Sequence, residues 1–189
     1  FQFRVIAMFP SSISIPIPGG LHDPLPQFVE VGQKFDLSAL SDIDAAVAEQ
    51  FQRYAHADLT GKNVAIGIGS RGIKQQPRVV KALIGELKAA GAKPFIIPAM
   101  GSHGGGSAEG QTAVLASYGY TEENMGVPIN SSLEVIELGR IERDVPVYCD
   151  KLAMDADHII MCNRVKPHTD FRANHESGLI KMVAIGMAK

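Results

Sequence analysis

The sequence predicts an α/β domain with a mostly parallel sheet flanked by helices and a β-rich, irregular N-terminal arm. Residues 63–68 (NVAIGI) and 93–100 (KPFIIPAM) are near-continuous apolar runs of strand length, as expected for strands buried on both faces. Between them, residues 77–90 read as a helix, with Pro77 in the first turn and Gly91 just past the end. A helix joining two such strands implies a parallel pair with a right-handed crossover.

The remaining elements follow in order. Residues 1–35 carry prolines at 10, 16, 18, 24 and 26, which suits short strands (3–8 and 28–31) separated by turns rather than helix. Leu40, Ile43, Val47 and Phe51 form one helical stripe, and Ser41 or Asp42 can cap it. Beyond the second strand come a glycine-rich loop (101–110), a helix at 109–117 and a loop of turn formers at 118–130. Residues 133–138 and 145–149 read as a hairpin or paired edge strands across the charged stretch 140–144, and 157–162 (DHIIMC) as a further buried strand. The 189 residues are expected to form a single domain. Within it, 1–60 is the arm and first helix, and 61–189 is a βαβ core with its site loops.

Composition narrows the function. Eighteen basic residues against 20 acidic ones give a net charge of −2 without blocks of one sign, which argues against a nucleic-acid groove or a polybasic membrane patch. No apolar run approaches the roughly 20 residues needed to cross a bilayer, and the N-terminus lacks the pattern of a secretory signal. Cys149 and Cys162 form no CxxC pair and read as reduced thiols, so the expected compartment is the cytoplasm. A first residue other than Met, and an ending on GMAK without a turn signal, give the expectation of a fragment of a longer chain.

The polar residues gather where strands end, which is where open α/β sheets bind ligands. Gly67, Gly69 and Gly72 spell GxGxxG, but Gly67 lies inside the strand, the helix starts late, and the next strand ends PAMG without an acid. A dinucleotide site is therefore not implied. Arg71 offers a forked donor for a carboxylate or phosphate, or is simply solvated. In Gly101-Ser-His-Gly-Gly-Gly, the glycines allow close approach of backbone to an anion, while His103 has no purpose in a plain turn. His158, Cys162, His168 and His175 match no tight zinc spacing. His103 and His168 each follow a strand, so two imidazoles facing across one rim could exchange acid and base roles. Lys181 stands among Leu179, Ile180, Met182, Val183, Ala184 and Ile185, and its amine either snorkels to water or is held for chemistry.

Taken together and in order, GSRGI starting at Gly69, PAMGSHGGG (98–106), NRVKPH (163–168) and ESGLIK (176–181) resemble the N-terminal catalytic domain of the nickel-pincer lactate racemase superfamily. The resemblance covers roughly 64–189. It implies the N-terminal domain of a two-domain enzyme, a racemase or epimerase acting on a small-molecule 2-hydroxy acid. The implied cofactor is a nickel-pincer nucleotide: nickel on a pyridinium mononucleotide with thioamide and thiocarboxylate arms. In that scheme Lys181 carries the cofactor, whose other contacts are Ser70, Gly104, Gly105, Ser177 and Gly178. His103 and His168 are the alternating bases, and Arg71 holds the substrate.

The protein ligand to nickel is then expected beyond residue 189, with a C-terminal domain or a homo-oligomeric partner closing the site. Ile68 stands where the family has an acid, glycines follow His103 where it has Arg-Pro, and TDFRANHE lengthens the span before Ser177. That longer loop, with Asp170, Arg172 and His175, implies a hydroxy acid larger than lactate or derived from a sugar. The alternative is a phosphometabolite- or nucleotide-binding α/β domain without catalysis.

Overall fold

In the computed structural model, residues 28–35, 39–54, 57–170 and 172–188 are described. The chain divides into two units, Phe1–Ser38 and Ala39–Lys189. In the first, residues 28–35 have no regular structure, and Phe28, Val29 and Val31 are exposed. The strand expected at 28–31 is thus absent: among the described residues no neighbouring strand takes up its backbone groups. The strand expected at 3–8 lies outside the described residues.

The second unit opens with α1 (Ile43–Tyr54). Asp42 caps it, its carboxylate accepting the Asp44 and Ala45 amides at 3.0 and 3.1 Å. Then come β1 (Asn63–Ile68), α2 (Gln76–Ala89) and β2 (Lys93–Pro98). Val80, Ile84 and Leu87 form the buried stripe of α2, Pro77 occupies its first turn, and the Gly91 amide closes on the Lys88 carbonyl at 2.9 Å. Next are α3 (Ala108–Ser117), α4 (Glu122–Met125), the antiparallel hairpin β3 (Val135–Ile141) and β4 (Val145–Asp150), α5 (Lys151–Met154) and β5 (His158–Cys162). The chain finishes in α6 (Leu179–Lys181), which runs on as a wider helical turn over Met182–Gly186.

The main sheet has the order β2-β1-β5 and is parallel throughout. Side chains of β1 alternate between its two faces. Val64, Ile66 and Ile68 pack with Val80, Ile84, Leu87, Leu115 and Tyr120 on one face, while Ala65 joins Ile97, Ala99, Ala153 and Met187 on the other. The largely buried pair β1–β2 matches the expectation from continuous hydrophobicity.

Two expectations are corrected. Residues 157–162 do not form a fully buried strand: β5 is at the sheet edge and Ile159 is 42% exposed. An apolar run cannot tell a central strand from an edge strand whose outer side chains are half covered. Nor is 118–130 only a loop. Thr121 caps α4 through the Asn124 amide, Gly126 ends it, and Ile129 then bridges in parallel to Ile96 as a stub beyond β2. One helical turn is too short for periodicity to reveal.

Candidate active site

Because β1, β2 and β5 run parallel, the loops leaving their carboxyl ends emerge on one edge. Ser70 and Arg71 follow β1, His103 follows β2, and the loop bearing His168 follows β5. The structure joins the first two directly: the Ser70 hydroxyl is hydrogen-bonded to His103 Nδ1. Behind this pair, the Tyr118 hydroxyl donates to the Ser70 carbonyl at 3.1 Å. The buried Gln111 amide donates to the Gly101 carbonyl at 2.7 Å and, more weakly, to the His103 carbonyl at 3.4 Å. Both ends of the histidine turn are thereby held to α3.

The C-terminal segment lies across the ends of β1 and β2. The Gly101 amide donates to the Gly186 carbonyl at 3.3 Å. A Cβ on Gly186 would come within 2.6 Å of the Ala99 carbonyl oxygen, and one on Gly69 within 3.2 Å of Met182 Sδ. Lys181, one residue before Met182, is therefore carried to the same edge as Ser70 and His103. Its side chain is exposed, and so are those of Leu179, Ile180, Val183 and Ile185. The apolar stretch does not enclose the amine, which reaches solvent: a helical turn fans these side chains around its axis. Among the described residues, neither Lys181 nor Arg71 has a hydrogen-bond or ion-pair partner, leaving two uncommitted cations.

His168 is organised by its own loop. Its ring Nδ1 accepts the Asp170 amide at 3.1 Å, which puts the hydrogen of the neutral ring on Nε2. Acting as a base through Nε2 thus requires Nδ1 to release that amide. Glu176 gathers the loop, its carboxylate accepting the His168 and Ala173 amides at 2.9 and 3.1 Å, with Arg172 at 3.6 Å. Ser177 is half-buried, and Gly178 is buried against Val165 at the start of α6. The amide bonds from His168 and Ala173 hold Glu176 below the usual carboxylate range. A depressed folded value means that its hold on the loop is complete above the unfolded pKa and is lost as pH falls through the lowered one. Protection of the His168 and Ala173 amides, taken relative to the intrinsic exchange rate at each pH, is accordingly expected to fall on acidification, and Glu176→Gln to remove that pH step.

Gly104, Gly105 and Gly106 form a tight turn, all with positive φ. Gly104 is pressed on α3, whereas Gly105 and Gly106 have nothing within 4 Å of a Cβ position and face open space. A groove of about 960 Å³ between α1, α2 and β5 is lined by Val47, Phe51, Leu83 and His158, among others. His103, His168, Arg71 and Lys181 do not line it, so it is not where the candidates meet. Tyr118 and Gln111 belong to no motif and are revealed by their bonds to the Ser70 and Gly101 carbonyls, whereas Glu176 opens ESGLIK but its role shows only in its bonds to the His168 and Ala173 amides.

The Ala39–Lys189 unit coincides with a family match: the model described as the lactate racemase N-terminal domain covers residues 39–189. The chain belongs to the lactate racemase N-terminal domain family. No match is found among curated proteins. As a class, lactate racemase N-terminal domains imply a nickel-pincer cofactor. Among the described residues, no three His, Cys, Asp or Glu side chains come together as a metal site. The Lys181 amine, without a partner among the described residues, and the open face of Gly105 and Gly106 suit a tether and a phosphate. No described helix of this lactate racemase N-terminal domain is long and apolar enough to cross a membrane.

Proposed function

We propose that this chain is the catalytic domain of a 2-hydroxy-acid racemase or epimerase that works with a lysine-tethered nickel-pincer nucleotide. The observation that carries this is the seating of the Lys181 segment beside the Ser70–His103 pair, with the Gly101 amide bonded to the Gly186 carbonyl. When bound, the nucleotide supplies a reversible hydride acceptor. The chain's residues do the rest. Lys181 provides the amine for the tether. The loop of Gly104 and Gly105, open at Gly105 and Gly106, receives the phosphate, Ser177 and Gly178 make further cofactor contacts, and Arg71 clamps the substrate carboxylate. His103 and His168 serve opposite faces of the substrate, one taking the hydroxyl proton and the other returning it.

The loop carrying Asp170, Arg172 and His175 suits a substrate larger than lactate. A C-terminal domain of the same chain or a homo-oligomeric partner closes the site. Cys149 and Cys162, both free thiols, fit a cytoplasmic setting.

The test is the full chain produced together with cofactor-synthesis enzymes and analysed by intact mass and peptide mapping. An adduct on the Lys181 peptide is expected, with adduct and racemisation both lost in Lys181→Ala. An unmodified Lys181 peptide together with full activity in Lys181→Ala overturns the tether. Arg71, without a partner among the described residues, also suits a phosphometabolite- or nucleotide-binding domain without catalysis. Inorganic phosphate would then raise the melting temperature, and Arg71→Ala, but not Lys181→Ala, would cancel the shift.

A further inference from the structure

We infer that Ser70 is a positioning residue for His103, setting which ring nitrogen carries the hydrogen, rather than a ligand for cofactor phosphate. This rests on the racemase reading of His103. The bond engages Nδ1, the nitrogen nearer the backbone, and leaves Nε2 as the reacting atom. A hydroxyl oxygen can accept as well as donate. When the Ser70 Oγ accepts from Nδ1–H, neutral His103 has a bare Nε2 ready to take a proton. After Nε2 is protonated, the Nδ1–H bond to Ser70 is unchanged, so one contact serves both the base and the acid form. His168 contrasts with this, because its Nδ1 accepts an amide and its neutral ring is left with Nε2–H.

Ser70 is itself held in place. Its carbonyl takes the Tyr118 hydroxyl at 3.1 Å, and a Cβ on Gly72 would lie 3.0 Å from the Tyr118 ring, so the tyrosine packs over the loop following β1. On the other side, Gln111, fully buried, ties the carbonyls of Gly101 and His103 to α3. Two independently anchored loops thus meet at one hydroxyl–imidazole contact. With Oγ accepting from the ring, the serine keeps its own O–H hydrogen, while its side chain is held in place by the ring contact.

The tautomer can be read directly by long-range proton–nitrogen NMR of the full chain labelled with nitrogen-15 histidine. Spectra are recorded about two pH units above the ordinary histidine pKa of roughly 6.5, and His103→Gln assigns the ring. The hydrogen is expected on Nδ1 in the wild type and in Ser70→Thr, and on Nε2 in Ser70→Ala. With lactate and gluconate as probe substrates of the cofactor-loaded enzyme, Ser70→Ala is expected to lower kcat about 10- to 100-fold, part of the roughly 10²–10⁴ a positioned acid or base supplies. KM should stay within about twofold, with Ser70→Thr restoring the rate.

A wild-type ring protonated on Nε2, or a tautomer unchanged in Ser70→Ala, overturns the inference. A raised KM with kcat intact also does so, by returning Ser70 to binding. The racemase reading fails separately. Full activity in His103→Gln removes the catalytic role and the purpose of the pair with it, whereas an inactive His103→Gln beside an unaltered Ser70→Ala removes the inference alone.

Discussion

His103→Gln and His168→Gln are each expected to lower kcat/KM for interconversion of the two stereoisomers by about 10²–10⁴-fold, the contribution of a positioned acid or base. In either variant the loss should be the same in both directions. The equilibrium between the stereoisomers is a property of the substrates, so the ratio of forward to reverse kcat/KM cannot change with the enzyme. Removing the proton carrier on one face therefore slows formation and consumption of each stereoisomer alike. Initial rates from both stereoisomers of lactate, and from gluconate and its C2 epimer, measure this directly. A His168→Gln variant within about twofold of wild type in both directions would remove His168 from the reaction and leave a single-base site. His168 is the more exposed to that outcome, because its Nδ1 must first release the Asp170 amide, whereas the His103 contact with Ser70 suits both protonation states as it stands.

What was legible in the sequence depended on the range of the signal. β1 and α2 were found to within a residue because their cues are local: an apolar run, Pro77 in a first turn, Gly91 after a last one. The parallel pairing of β1 with β2 followed from the helix between them. The position of β5 on the other side of β1 did not, since an apolar pentapeptide says nothing about which edge it joins. The setting of Lys181, left open between snorkelling and enclosure by its apolar neighbours, is decided by the fold in favour of exposure. Its neighbours are apolar, but their burial depends on what packs on α6, and among the described residues Met182 and Met187 pack against the sheet while Leu179, Ile180, Val183 and Ile185 stay exposed. Strand-end placement brought out His103, Arg71 and His168. The contact between Ser70 and His103 spans 33 positions and two strands, and no spacing rule anticipates it. Glu176 was legible only as part of a motif, and its hold on the amides of His168 and Ala173 is a property of the folded loop.

Gly85→Ala and Gly110→Ala, the same substitution in two helices, are expected to change stability in opposite directions. Gly85 lies on the exposed side of α2 with nothing within 4 Å of a Cβ position. Alanine there gains helix propensity and restricts the unfolded chain, stabilising by up to about 1 kcal/mol. Gly110 sits in the first turn of α3, where its amide donates to the capping Ser107 hydroxyl at 3.0 Å. A Cβ on Gly110 would fall 1.8 Å from the Gly104 carbonyl oxygen, and one on Gly104 would fall 2.7 Å from the Gln111 amide nitrogen. The histidine turn thus lies on the bare backbone of α3, and a methyl group there must lift it. The cost of such overpacking, about 1–3 kcal/mol, exceeds the propensity gain. Lifting the turn also stretches the Gln111 bonds to Gly101 and His103, so the Ser70–His103 contact should loosen along with the fold. Urea denaturation of the two variants against the wild type measures both signs. If Gly110→Ala proved as stable as Gly85→Ala, the turn would not rest on α3, and the frame that aims His103 would have to be sought elsewhere.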